Sequence, residues 1–200
     1  MPPPDAEAIA ASLQQPEAFA AIFDRHYDAI AAFLRRRVGS SLGDELAAET
    51  FLQAFDARAR YDAGRADARP WLYGIASNLL RRHRRSEERR LRAYARSAGR
   101  PGQELDLDAL AARLDARRVT GALAIALASL GPGERDVLLL HAWADLTYEQ
   151  IAEALGTPVG TVRSRLHRAR GVARELLARG GEGAGDDLPA APAAIREEMR

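Results

Sequence analysis

Residues 146–170 read LTYEQIAEALGTPVGTVRSRLHRAR, and they carry the clearest structural signal in the chain. Thr147 and Gln150 have the spacing of a capping box, in which a hydroxyl accepts from the backbone at the third helical position and the amide reaches back. Gly156 then supplies a turn, and Thr157 and Pro158 suit the N-cap and the first turn of a second helix. Two helices joined by so short a turn predict a helix-turn-helix.

The second helix of this motif predicts contact with DNA. Residues 157–174 hold five arginines and no acid, and Val162 and Leu166, four residues apart, are predicted to pack inward. A helix of this kind can enter the major groove, where arginine bonds guanine in bidentate fashion. The alternative is a solvated helical hairpin, which the matched caps and the turn glycine argue against.

The rest of the chain is predicted to be all-α, with two small helical domains joined by a flexible linker. Working outward, apolar residues at helical spacing predict a helix through residues 19–34, a second over 42–60, a loop at 61–69 and a third helix from Pro70. Residues 97–102 have linker composition, and further helices are predicted at 105–130 and 134–143. The predicted domains are 1–96 and 119–178, with a linker at 97–118 and a disordered tail at 179–200.

Charge and composition narrow the function classes. The net charge is only +1, but residues 81–100 hold nine arginines and two acids. Together with residues 157–174 they make two separate basic segments, which suggest a polyanionic partner. The absence of cysteine excludes disulfides and thiolate ligands. The four histidines lack metal-ligand spacing, and no phosphate loop or hydrolase motif occurs, which predicts a non-enzyme without cofactor. No signal sequence or membrane span is recognisable, so we expect a cytoplasmic protein without membrane insertion.

The third helix combines aromatic residues, an amide and a basic end. Trp71, Tyr73, Asn78 and the arginines from Arg81 onward suit opened nucleic acid, because bases stack on rings while arginine follows the backbone. Taken alone, the pattern fits equally well with Trp71 and Tyr73 as core residues and the arginines as a solvated helix end.

These motifs together resemble a known family. The first module is similar to region 2 of the extracytoplasmic-function (ECF) group of bacterial RNA polymerase sigma factors, in Glu49-Thr50-Phe51, Trp71-Leu72-x-x-Ile75-Ala76-x-Asn78 and Arg81-Arg82-x-Arg84-Arg85. The second resembles region 4 of that group, in Leu127-x-x-Leu130, Arg135-x-Val137-Leu138 and residues 146–170. The resemblance covers residues 17–178 in order. It implies a sigma factor that binds polymerase core and directs promoter recognition, DNA melting and transcription initiation.

The resemblance also implies three contact surfaces. The surface that docks on polymerase core corresponds to Asp44, Glu45, Leu46, Glu49, Thr50 and Phe51, although Ala48 stands where the family usually has Gln. The minus-ten element would be contacted by Arg65, Arg69, Trp71, Tyr73, Asn78, Arg81, Arg82 and Arg85. The minus-thirty-five element would be contacted by Thr157, Gly160, Thr161, Arg163, Ser164, Arg165, His167, Arg168 and Arg170. For Arg165, a bracing role inside the fold stays open. The implied partners are RNA polymerase core, promoter DNA and a cognate anti-sigma factor, with no small-molecule substrate.

Two other functional classes compete with this interpretation. A regulator of the LuxR type would use only the second module on DNA, but the first module shows no sensing pocket or phosphoacceptor pattern. A protein that mimics a sigma factor to sequester an anti-sigma partner would be expected to lose the basic faces, which are intact here. For the tail, an unstructured extension is favoured over a regulatory segment whose acids compete with DNA.

Overall fold

The computed structural model describes residues 3–83 and 126–181, and every regular element within them is helical. The helices are α1 Asp5–Ala11, α2 Ala20–Val38, α3 Ser40–Ala57, α4 Arg69–Arg82, α5 Pro132–Ala144, α6 Tyr148–Leu155 and α7 Val159–Gly181, with 3-10 helices at Pro16–Phe19 and Arg58–Arg60. The all-α prediction is therefore confirmed for this part of the chain.

Contacts divide the chain into two compact units, residues 1–84 with 143–162 and residues 85–142 with 163–200. The division cuts α7 after its first turn. The predicted linker at 97–118, most of the helix predicted at 105–130 and all but the first residues of the predicted tail lie outside the described residues. The predicted domain boundaries stay predictions.

In the first unit, α2 and α3 form a helical hairpin around a single glycine. Gly39 has φ 96°, a backbone conformation that residues with a Cβ rarely adopt, and α3 begins at the next residue. One turn further on, a Cβ at Gly43 would lie 2.7 Å from the Cα atom of Arg35. The break between the first two predicted helices is thus one residue long, and a second glycine allows the helices to approach closely.

The core of the first unit is built from the apolar stripes of α1 to α4. Its buried side chains include Ile9, Ile22, Ile30, Phe33, Leu34, Leu46, Phe51, Leu72, Ala76, Leu79 and Leu80. Several apolar residues of the predicted helices are not buried, since Phe23 and Leu52 are exposed and Tyr27, Phe55 and Ile75 are only partly buried. Phe23 lies at the rim of the core, where its ring stacks on Tyr27 with centroids 4.6 Å apart.

Helix α6 belongs to this same unit and packs against α4. The approach is close, because a Cβ at Gly74 would lie 2.7 Å from the carbonyl oxygen of Ala154. A glycine is therefore required at this point of α4 for the observed packing.

The second unit has its own apolar core around α5. Leu127, Leu130, Val137, Leu140 and Leu166 are buried there. The buried Arg135 guanidinium satisfies carbonyl groups just before α5, since its Nε donates to Leu127 at 2.7 Å and its Nη2 donates to Leu130 at 3.2 Å. Residues 126–129 are helical, and a buried arginine is well accommodated at the end of that segment because it supplies donors that its last carbonyl groups lack.

Candidate nucleic-acid interface

The helix-turn-helix forms through the local contacts that its sequence predicts. The Thr147 hydroxyl accepts from the Gln150 backbone at 3.2 Å, and the Gln150 side chain accepts from the Thr147 backbone at 3.0 Å. Gly156 has φ 61° and ends α6 in the left-handed conformation, while the N–H of Thr157 donates to the Ala152 carbonyl at 2.9 Å. The capping box and the turn glycine are thus confirmed.

The start of α7 differs from the prediction by one residue. The helix begins at Val159, and the carbonyl of Pro158 accepts from Thr161 and Val162. Pro158 therefore precedes the first helical residue, and the Thr157 hydroxyl is buried without a hydrogen-bond partner. The N-cap assigned to Thr157 was wrong, because its hydroxyl accepts from no backbone N–H and the first carbonyl acceptor of the helix is that of Pro158.

The exposed face of α7 carries most of the residues predicted to contact the minus-thirty-five element. Val162 and Leu166 are buried, as predicted. Gly160, Arg163, Ser164, His167 and Arg168 are exposed, whereas Thr161, Arg165 and Arg170 are partly buried. This face is free of acidic side chains from Val159 to Arg174, so it can accept a polyanion.

Two arginines of α7 contact the start of α5 in the second unit. A Cβ at Gly133 would lie 3.0 Å from the Cζ atom of Arg165, so that guanidinium packs directly over the glycine. Arg168 Nε lies 3.0 Å from Glu134 Oε1, and its side chain remains 62% exposed. The packing of Arg165 favours the bracing role, while Arg168 keeps most of its surface available.

The loop at residues 61–68, called here the 61–68 loop, has a defined internal structure. Asp62 closes a turn by accepting from the Gly64 N–H at 3.0 Å, and the carbonyl of Asp62 accepts from the Arg65 N–H at the same distance. The Tyr61 hydroxyl donates to the Arg65 carbonyl at 2.7 Å. Burial, followed by the charges of Asp5 and Asp67, raises the pKa of Tyr61 to about 12, so the phenol stays protonated as the donor. Residues 62–66 are exposed, so the loop presents an ordered tip to solvent.

The two aromatic residues of α4 have different environments. Trp71 is half-buried, and its ring lies 5.0 Å from that of Tyr61. Tyr73 is 3% exposed and packs edge-on against Phe33 at 5.2 Å, and burial raises the pKa of its hydroxyl. Tyr73 is therefore a core residue in this structure, which corrects its assignment to the minus-ten surface. The alternative that both rings are core residues therefore holds for Tyr73, and only in part for Trp71.

The C-terminal half of α4 presents a polar and basic face. Asn78, Arg81 and Arg82 are exposed and follow the i, i+3, i+4 spacing of one helix face. Arg69 is partly buried beside Asp67, whose carboxylate accepts from the Arg69 N–H at 2.9 Å. Arg85 lies outside the described residues. The structure thus brings Asn78, Arg81 and Arg82 together on one surface.

Helix α6 engages the 61–68 loop in this structure. Glu153 forms an ion pair with Arg65, and the Gln150 side chain donates to Asp67 Oδ2 at 3.0 Å. Arg65 is consequently held by protein carboxylates, and DNA would have to replace at least the Glu153 contact to use it.

Helix α3 exposes only part of the set predicted to dock on polymerase. Leu46, Thr50 and Phe51 are buried, and the Thr50 hydroxyl donates to the Leu46 carbonyl at 2.7 Å, so these three residues shape the helix from inside and cannot contact a partner directly. Glu45 is exposed, while Asp44 and Glu49 are partly exposed. Asp44 also accepts from Arg35 Nε at 2.5 Å.

Sequence reasoning missed Leu52, which is 61% exposed and grouped by its pattern with the core residues. Leu52 lies three residues after Glu49 and seven after Glu45, on the polar stripe of α3. A helical-wheel comparison with these two acids could have identified it. We call Glu45, Ala48, Glu49 and Leu52 the α3 strip.

Among residues 3–83 and 126–181, no group of histidine and acidic side chains is arranged to hold a metal ion. No helix in these ranges is long and apolar enough to cross a membrane.

Comparison with known proteins identifies two successive parts of the chain. Residues 22–104 match the family model Sigma-70 region 2, and residues 121–171 match Sigma-70, region 4. The ECF RNA polymerase sigma factor SigC of Mycobacterium tuberculosis is 40% identical over 137 residues, covering 66% of this chain and 68% of that protein. The RNA polymerase sigma factor CarQ of Myxococcus xanthus is 32% identical over 163 residues, covering 80% of this chain and 90% of that protein.

Two solved structures are similar in fold. CnrH in complex with the cytosolic domain of CnrY aligns with a TM-score of 0.63 and 27% identity over 88% of this chain and 97% of that one. The sigma factor RpoE of Bartonella quintana, in complex with the anti-sigma factor NepR, aligns with a TM-score of 0.56 over 81% and 98% of the two chains. At 23% identity, the second likeness concerns the fold alone.

Proposed function

The chain belongs to the ECF group of sigma-70 factors, and from that premise we propose how its surfaces divide the work. As a member of this family, it directs promoter recognition and transcription initiation by RNA polymerase. One observation carries the proposed division: the exposed part of each predicted surface lies on its own segment, which is α3, the 61–68 loop with α4, or α7.

We propose that the α3 strip binds polymerase core. An exposed leucine beside two acidic residues offers an apolar contact with a charged rim, which is the general arrangement of protein interfaces. The buried Leu46, Thr50 and Phe51 act by holding α3 in place.

The minus-ten element is the proposed target of the 61–68 loop and α4. A single unpaired base would be held by the ordered loop beside the half-buried Trp71, while Asn78, Arg81 and Arg82 contact the adjacent backbone. Binding energy gained only with the unstacked base favours the melted state, because a ligand shifts an equilibrium by its differential affinity.

The minus-thirty-five element is the proposed target of α7. Arg163 and Ser164 lie on the exposed face near its N-terminal end, and His167 and Arg168 extend that face. Two short elements contacted through one chain reinforce each other by effective concentration, so neither contact must be strong alone. We infer no catalytic step and no small-molecule substrate, and we place its action in the cytoplasm, where polymerase and promoter DNA are found.

We further propose a cognate anti-sigma factor as a partner. CnrH, which resembles this chain over 97% of its own length, was solved with the cytosolic domain of CnrY. The basic face of α7 and the apolar Leu52 are the surfaces that such a regulator would cover.

The decisive experiment adds the purified chain to core polymerase with genomic promoter fragments and measures run-off transcripts. Transcripts that depend on both chain and core support the proposal. Binding of DNA by the chain without any core-dependent transcript would favour a LuxR-type regulator. A chain that binds neither core nor DNA yet removes an anti-sigma factor from another sigma factor would favour the mimic.

A further inference from the structure

The N-terminal segment precedes the part of the chain that matches region 2, which begins at residue 22. Nothing in the proposed function uses it, yet α1 is anchored in the first unit by the buried residues Ala8 and Ile9. We call residues 5–12 the N-terminal strap.

The first tie of the strap is the carboxylate of Asp5, which is 5% exposed. Its Oδ2 atom accepts from the backbone N–H of Ala68 at 2.8 Å and lies 2.8 Å from Nε2 of His26. Its Oδ1 atom pairs with Arg25. Ala68 is fully buried and directly precedes α4, so a carboxylate from 63 positions earlier in the chain caps the start of that helix.

The second tie is at the other end of the strap. The carbonyl of Ser12 accepts from Arg58 Nε at 3.4 Å, and the Ser12 hydroxyl donates to Ile9 at 2.6 Å, which closes the end of α1. Arg58 is fixed in turn, because its Nη1 donates to the Phe55 carbonyl at 2.6 Å and its guanidinium lies 3.7 Å from the Phe55 ring.

These two ties bracket the 61–68 loop. Arg58 lies three residues before the loop, and Ala68 is its last residue. The strap therefore contacts the chain on both sides of the 61–68 loop, whose tip, residues 62–66, is exposed.

We propose that the N-terminal strap sets the position of the 61–68 loop, with Asp5 as the positioning residue that fixes the junction of the loop with α4. This inference rests on the proposed role of that loop in capturing an unpaired minus-ten base. A loop held in place before binding loses less conformational entropy when it closes on a ligand, so removing a tie lowers affinity for that ligand selectively.

The test uses the full chain bound to core polymerase and a promoter found by the run-off assay. Three affinities are measured: for core, for a duplex carrying only the upstream element, and for a single strand spanning the minus-ten element. Asp5→Ala should weaken single-strand binding about tenfold, the effect of losing a charge-assisted hydrogen bond. The affinities for core and for the duplex should stay within about twofold of those of the unaltered chain, because Asp5 lies outside the surfaces proposed to bind them.

Three further variants keep the result interpretable. Asp5→Glu retains the charge and should restore part of the single-strand affinity. Asp28→Asn makes the same charge change at an exposed site of α2 and should have no effect. Leu34→Ala weakens the fully buried core of α2 without touching either tie, so it should lower the unfolding midpoint but not single-strand affinity at a temperature where it is folded.

The outcomes separate the two proposals. If the unaltered chain fails to bind core or the minus-ten strand, the proposed function is wrong. If the unaltered chain binds but Asp5→Ala lowers all three affinities alike, or lowers none of them, the positioning role is overturned. An equal selective loss in Leu34→Ala would also overturn it, because instability alone would then account for the effect.

Discussion

Replacing Leu52 by alanine should weaken binding to polymerase core and leave the chain stable, whereas the same change at Leu46 should destabilise the chain. The two leucines lie six positions apart on α3, with exposures of 61% and 1%. A fully buried leucine truncated to alanine leaves a cavity, which costs about 2–5 kcal/mol of unfolding free energy. Truncation of an exposed side chain leaves no cavity and changes the free energy of unfolding by about 0.5 kcal/mol or less.

The effect of Leu52 on affinity follows from its exposed surface. Complete burial of a leucine side chain contributes about 1.5–3 kcal/mol. Since 61% of this residue is exposed, a partner that covers this exposed part gains up to about 1–2 kcal/mol. The dissociation constant of the Leu52→Ala variant should therefore rise by about 5-fold to 30-fold.

The assay titrates each fluorescently labelled variant with core polymerase and follows anisotropy, and urea denaturation gives the unfolding free energy. Leu46→Ala should lose stability in urea yet bind core close to normally at a temperature where it remains folded. An unchanged dissociation constant for Leu52→Ala would refute the α3 strip as the docking surface. A loss of stability in Leu52→Ala as large as that in Leu46→Ala would refute the burial argument itself.

Three other changes test separate parts of the molecule. Thr147→Ala should lower the unfolding free energy by about 1 kcal/mol through loss of the capping box, and Thr147→Ser should retain most of it in the same urea titration. Arg163→Ala should weaken upstream duplex binding by about tenfold in a gel shift, whereas Arg165→Ala should mainly lower the melting temperature, because that side chain packs over Gly133. Burial raises the pKa of Asp5, but the hydrogen bond from Ala68 and the charge of His26 outweigh it and leave the pKa below the usual 3.8. The carboxylate should therefore stabilise the folded chain above pH 3.8, and this stabilisation should disappear as the pH falls through the lower pKa of the folded state. Unfolding followed by circular dichroism should accordingly show a stability that depends less on pH in this acid range for Asp5→Asn.

Local chemistry is the part of this fold that the sequence predicts best. The capping box of Thr147 and Gln150 and the left-handed Gly156 depend on residues within four positions of one another, so their spacing is sufficient. The one local error, at Thr157, moves a helix start by a single residue.

The sequence was less informative about which face of a helix is buried. Leu46 and Leu52 are both leucines of one apolar helix, and Trp71 and Tyr73 are both aromatic residues of another, but their exposures differ. That difference arises from partners far away in the chain, such as Phe33 against Tyr73. Composition gives the number of apolar residues but not the neighbour that covers each one.

The helical character of the described residues, the helix-turn-helix and the separate basic segments were all predictable, because these properties follow from short-range spacing and charge. The exposure of Leu52, the burial of Tyr73 and the capping of a helix by Asp5 from 63 positions away depend on long-range contacts. A buried carboxylate keeps its charge only when donors surround it, and those donors come from two separate segments that folding alone brings together.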